Sequence, residues 1–133
     1  STTTKNKFKI LICDDLASEG MALFERDKCF NVQVKLKMKL DELKKEIEDA
    51  DACIVRSGTQ ITKEVIEASQ TLKVIGRAGV GLDNVDVEAA SKKGIVVINT
   101  PGGNTISAAE HTFCLMMAMA RNIPQADASI KRG

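Results

Sequence analysis

Five short apolar runs punctuate this chain, and a stretch with helical periodicity follows each of the first four. The runs are Phe8–Cys13, Phe30–Leu36, Ala52–Val55, Leu72–Gly76 and Ile95–Ile98. After the first, Leu16, Gly20, Leu23 and Phe24 repeat at helical spacing, as do Leu40, Leu43 and Ile47 after the second. Thr62 can cap a third helix carrying Val65 and Ile66, and Asn84 or Asp86 can start a fourth that passes Ala89 and Ala90 and stops near Gly94. Strands alternating with helices predict a parallel sheet covered on both faces.

The second run differs from the others. Phe30, Val32, Val34 and Leu36 alternate with Asn31, Gln33 and Lys35, which leaves one face wet and predicts a strand at the sheet edge. An edge-type second strand with apolar later strands fits a doubly wound, flavodoxin-like α/β sheet in the order 2-1-3-4-5. With 133 residues the chain holds one domain, or one domain and the start of another. Ser1 to Lys7 reads as a polar, frayed, disordered start, residues 8–100 as the domain, and Asn99 to Asn104 as the break that ends it. Beyond the break, Ser107 to Glu110 fits a capping box. The helix through Ala120 is apolar almost all round, so it is expected to leave the sheet and be wedged between this domain and something else, burying Phe113, Met116 and Met119 by self-association or against another copy. His111, inside that helix, is expected to be a packed or interface residue rather than a catalytic one.

Several function classes are disfavoured by composition. A formal net charge of +1 gives no bulk electrostatic case for nucleic acid or an anionic membrane. Four phenylalanines are the only aromatics, too few and too apolar in context for a base-stacking surface. Cys13, Cys29, Cys53 and Cys114 are scattered and accompany a single histidine, so neither a zinc site nor a disulfide framework is indicated. Reduced, cytosolic thiols are the expectation. No apolar stretch approaches the roughly 20 residues of a membrane span, and the N-terminus lacks the apolar segment of a signal peptide.

Candidate chemistry gathers at the carboxyl ends of the strands, where open α/β sheets bind ligands. Arg56 and Ser57 end the third run, and Arg77 with the turn Gly79-Val80-Gly81 follows the fourth. Asn104 comes after the fifth. Six of nine glycines lie between Gly76 and Gly103, which makes the backbone permissive along this rim. Two readings of Arg77 stand side by side: an anion-binding fork beside converging N–H groups, or a solvated arginine on a tight strand-to-helix connection. The turn is not a dinucleotide fingerprint, because Asn84 stands where the third glycine belongs and Asn99-Thr100-Pro101 supplies no acid for a ribose. Asp14 and Asp15, closing the first strand, read as helix caps rather than catalytic groups.

Three segments, Ile54 to Ser57, Val74 to Asp86 and Asn99 to Glu110, together resemble the D-isomer-specific 2-hydroxyacid dehydrogenases. The resemblance implies that Arg56, Ser57, Arg77, Gly79, Val80, Gly81 and Asn104 bind substrate, with Val80 also touching a nicotinamide cofactor. It implies NAD for the parent enzyme, a small anionic and phosphorylated substrate, and a homo-oligomer. It further implies that residues 101–133 are a hinge and the first helix of a nicotinamide-binding domain. The family's dinucleotide loop and its catalytic arginine, acid and histidine would lie beyond Gly133, so this segment alone is expected to bind no NAD and to catalyse nothing. Competing readings are a relative acting on glycerate or glyoxylate, and a non-catalytic anion-binding or receiver-like module. A receiver would need an acceptor aspartate at the end of the third strand, where Arg56-Ser57 stands.

Overall fold

A computed structural model describes residues 7–16, 18–26, 28–79, 81–100 and 105–132. Its strands are β1 (Phe8–Ile12), β2 (Phe30–Val34), β3 (Ala52–Val55), β4 (Val74–Ala78) and β5 (Val96–Thr100). The helices are α1 (Ser18–Glu25), α2 (Leu40–Ile47), α3 (Lys63–Ala68), α4 (Val87–Lys92) and α5 (Thr105–Arg132). All strand pairs are parallel and the order is β2-β1-β3-β4-β5, as the patterning predicts. Edge strand β2 pairs with β1 and runs from buried Phe30 to exposed Val34. Central β3 and β4 are buried at every position.

The period-two pleat divides the core into two layers. Cys53, Val55 and Ile75 face one way and pack with Leu43 and Ile47 of α2, Val65 and Ile66 of α3, and Ala90 of α4. Ala52, Ile54 and Val74 face the other way, toward Phe24 of α1 and Ala109 and Met116 of α5. The expected caps form: Val65 N donates to Thr62 Oγ1 at 3.4 Å and Ala89 N to Asp86 Oδ1 at 2.9 Å. Gly94, with φ of 75°, closes α4.

The structure corrects several expectations. β4 runs on through Arg77 and Ala78, and β5 through Asn99 and Thr100, because these residues keep pairing with each other across the ladder. Leu16 is buried but precedes α1, and Leu36 and Leu40 are exposed rather than part of a buried stripe. Ser107 lies inside α5, which already begins at Thr105, so it is no cap.

The largest correction concerns α5, whose stretch from Ala108 to Met119 lies against the sheet and α1. Gly76 of β4 offers no side chain, and Ala108 and Thr112 come down onto it. Met116 is 1% exposed within this chain's own core. Phe113 joins Phe24 and Phe30 with ring centroids 5.9 and 5.4 Å apart, and Phe8 completes the cluster 6.3 Å from Phe30. Met119 packs partly against the same layer. Residues 1–100 therefore do bury this face, and neither Phe113 nor Met116 needs a second copy to cover it. His111 is exposed, because it falls on the side of α5 turned away from the sheet, so it is not packed in this chain's own core.

Candidate functional site

At the carboxyl rim, the ends of β1, β3 and β4 are laced together by side chains that reach across the sequence. Asp14, just past β1, grips the loop after β3: its Oδ2 accepts from Arg56 N at 2.7 Å and Thr59 N at 3.1 Å, and its Oδ1 accepts from Thr59 Oγ1 at 2.8 Å. Gly58 lies so close that a Cβ there would sit 2.8 Å from Asp14 Oδ1. Asp14 is thus a loop organiser, and its carboxylate is engaged by donors of the 56–59 segment. Neither the helix cap nor a receiver pocket describes it.

Arg77 is 6% exposed and lies on the pleat face shared by Ile75. Its Nε donates to Asn84 Oδ1, and its Nη2 lies 4.0 Å from Oδ1 of the exposed Asp83. Nη1 is buried and has no partner among the described residues. Gly79 is required beside it: its φ is +156°, and a Cβ would overlap the Arg77 guanidinium. Asn84 also donates from Nδ2 to Arg56 O at 2.6 Å and Thr59 O at 2.7 Å. Backbone bonds from Ile61 N to Asn84 O, 2.8 Å, and from Asp86 N to Ile61 O, 2.9 Å, zip the two segments further.

The rim thus carries two arginines: Arg77 on β4, buried and with one guanidinium nitrogen unpartnered among the described residues, and Arg56 just past β3, with its side chain exposed. Ser57 and Gly81 are exposed beside them. Val80 and Asn104 lie outside the described residues. Asp14, Thr59 and Asn84 were not legible as site residues. The one available signal was an asparagine in a glycine-rich turn, a residue able to satisfy stray backbone carbonyls.

A cavity of about 440 Å³ opens on this rim, bounded by Asp14, Lys37, Gly58 and Thr59 and by Met38 and Leu43. The other large hollows, of about 450 and 540 Å³, are grooves among Lys and Glu side chains on the outer faces of α2 and α3. Among the described residues no cluster of His, Cys, Asp and Glu could hold a metal ion, and no helix is long and apolar enough to cross a membrane. Cys13, Cys53 and Cys114 are free thiols. A hydrogen bond with the Cys13 thiol, together with burial, pushes the Cys53 thiol well above its ordinary range. Chemically, the rim offers fixed donors and a permissive backbone, features suited to an oxygen-rich anion.

This architecture is that of a known dehydrogenase family. The chain belongs to the D-isomer-specific 2-hydroxyacid dehydrogenases, matching their catalytic domain over residues 10–131. It is 53% identical over 125 residues to D-3-phosphoglycerate dehydrogenase of Methanocaldococcus jannaschii, covering 94% of this chain and 24% of that protein. Among solved structures, it resembles a protein of Pyrococcus horikoshii OT3 with TM-score 0.68 and 34% identity, over 96% of this chain and 38% of that one. It also resembles an NAD+-bound 3-phosphoglycerate dehydrogenase of Entamoeba histolytica, with TM-score 0.64 and 35% identity over 72% and 33% of the two chains. The chain spans about a quarter of the length of the curated relatives it matches.

Proposed function

We propose that this chain is the N-terminal, substrate-binding part of an NAD-dependent D-3-phosphoglycerate dehydrogenase, which oxidises 3-phosphoglycerate to 3-phosphohydroxypyruvate at the entry to serine synthesis. The observation that carries the reading is the pair of rim arginines, Arg56 exposed and Arg77 buried with Nη1 unpartnered among the described residues. Two guanidinium groups suit a substrate that carries both a phosphate and a carboxylate. Arg56 and Arg77 bind these anionic groups, Ser57 and Asn104 orient the substrate, and N–H groups of the Gly79-Val80-Gly81 turn approach the carboxylate. Residues 8–100 form the substrate-binding domain, and residues 101–133 the hinge and first helix of a nicotinamide-binding domain.

The residues of this chain do not fit a dinucleotide. The space above Gly79 is filled by the Arg77 guanidinium, and the third glycine of a phosphate-cradling loop is Asn84. NAD, the hydride acceptor, is held mainly by parts of the whole protein outside these residues, while Val80 of this chain touches its nicotinamide. The whole protein acts as a homo-oligomer in the cytoplasm, which sedimentation and cell fractionation test.

The direct test uses the full-length protein, with NADH formation followed on 3-phosphoglycerate, glycerate and lactate. Turnover that favours 3-phosphoglycerate supports the reading. Preference for the unphosphorylated acids, or none for any 2-hydroxy acid, refutes it.

A further inference from the structure

Asn84 is 5% exposed and uses its amide fully. Its oxygen accepts from Arg77 Nε, while its nitrogen donates to Arg56 O at 2.6 Å and Thr59 O at 2.7 Å. This pattern admits one orientation of the amide, since the oxygen must meet the guanidinium and the two N–H donors must meet carbonyls. Fixing Nε sets the plane of the Arg77 fork and leaves Nη1 as the edge with no partner among the described residues. Holding the Arg56 carbonyl, while Asp14 holds the Arg56 N–H at 2.7 Å, fixes from both sides the root from which the exposed Arg56 side chain extends.

We propose that Asn84 is the positioning residue of the anion site: one buried amide sets the reach of Arg56 and Arg77 relative to each other. The inference rests on the proposal that these arginines bind substrate. It gives the asparagine of the glycine turn a role at a distance from the ligand, acting through two other residues. An aspartate of the same shape would still accept from Arg77, but would set an oxygen against two carbonyl oxygens and release the 56–59 loop. An alanine would release both arginines at once.

The test uses the full-length protein with Asn84→Asp and Asn84→Ala. Each should raise KM for 3-phosphoglycerate about tenfold or more, with KM for NAD and kcat little changed. In the Asn84→Ala background, Arg77→Lys should add far less than it costs alone, because both changes disturb one unit. A lowered melting temperature with KM unmoved, or fully multiplicative effects, overturns the proposal. Should both variants fail to fold, the wild-type protein decides: with 15N-labelled arginine, the Arg77 Nε–H should exchange with solvent far more slowly than a free guanidinium, and rapid exchange overturns the proposal. A wild-type enzyme inert toward 3-phosphoglycerate removes the functional reading and this inference together. An active wild type with unshifted variants removes the inference alone.

Discussion

Gly76→Ala places a methyl group where the Thr112 hydroxyl of α5 now lies, with the Ala108 carbonyl oxygen 3.7 Å away on the same helix. Neither backbone can retreat easily, since β4 is hydrogen-bonded between β3 and β5 and α5 is pinned by Met116 and Phe113. Overpacking of this kind costs about 1–3 kcal/mol. The alanine recovers about 0.5 kcal/mol by restricting the unfolded chain, which leaves a net loss of about 0.5–2.5 kcal/mol. Thr112→Ala behaves differently. The Thr112 hydroxyl is buried with no partner among the described residues, so deleting it recovers desolvation of about 1–3 kcal/mol and offsets the lost methyl contact. The double variant should therefore match Thr112→Ala to within about 0.5 kcal/mol, a coupling of about 0.5–2.5 kcal/mol between the sites. Urea unfolding followed by circular dichroism measures all four proteins, with the slope m checked for constancy. Gly76→Ala without effect, or with the same cost in both backgrounds, would show that α5 is not seated on β4.

Arg77→Lys in the full-length enzyme keeps the charge and loses the fork, so KM for 3-phosphoglycerate should rise roughly tenfold to a hundredfold, the weight of about 1.5–3 kcal/mol. An unchanged KM with a lower melting point would make Arg77 a brace of the turn. The Cys53 thiol is held above its ordinary value of 9.0 by its hydrogen bond with Cys13 and by burial. The unfolded chain therefore loses that proton first, and stability should fall as pH rises past that value, by at most about 1.4 kcal/mol per pH unit for one thiol. Cys53→Ala should flatten this slope between about pH 8 and pH 10, and urea midpoints across that range would reveal a persisting slope if the assignment is wrong. The 133-residue chain should show no calorimetric binding of NAD or NADH, and micromolar affinity for either would refute the reading of the glycine turn.

Much of the fold was legible because it depends on local pattern. Alternation over residues 30–36 placed β2 at the edge, and the all-apolar Ala52–Val55 run marked a central strand. Thr62 and Asp86 were legible as caps because a cap bonds to a residue three positions away. Arg56, Ser57, Arg77 and the glycine turn were legible as rim residues, since each follows or ends an apolar run at the strand end where α/β sheets bind ligands.

What remained was decided by partners distant in sequence. Asp14 meets Arg56 across 42 positions and Asn84 meets it across 28, so neither bond leaves a trace in the neighbouring residues. Locally, Arg77, Asn99 and Thr100 look like the end of a strand. They remain strand because each has a ladder partner on the adjacent strand and polar atoms that partner can satisfy, as when Thr100 Oγ1 donates to Arg77 O at 3.3 Å. Helix α5 makes the same point in the core. The sequence by itself determined that the helix must be buried, because apolar area taken from water is favourable whatever covers it. Only the tertiary structure decided what covers it: a glycine on β4 lets a helix approach closely, and the phenylalanines of β2 and α1 receive its own. Burial is non-directional and can be read from composition, whereas the choice of partner depends on shape and hydrogen-bond geometry that exist only once the strands are side by side.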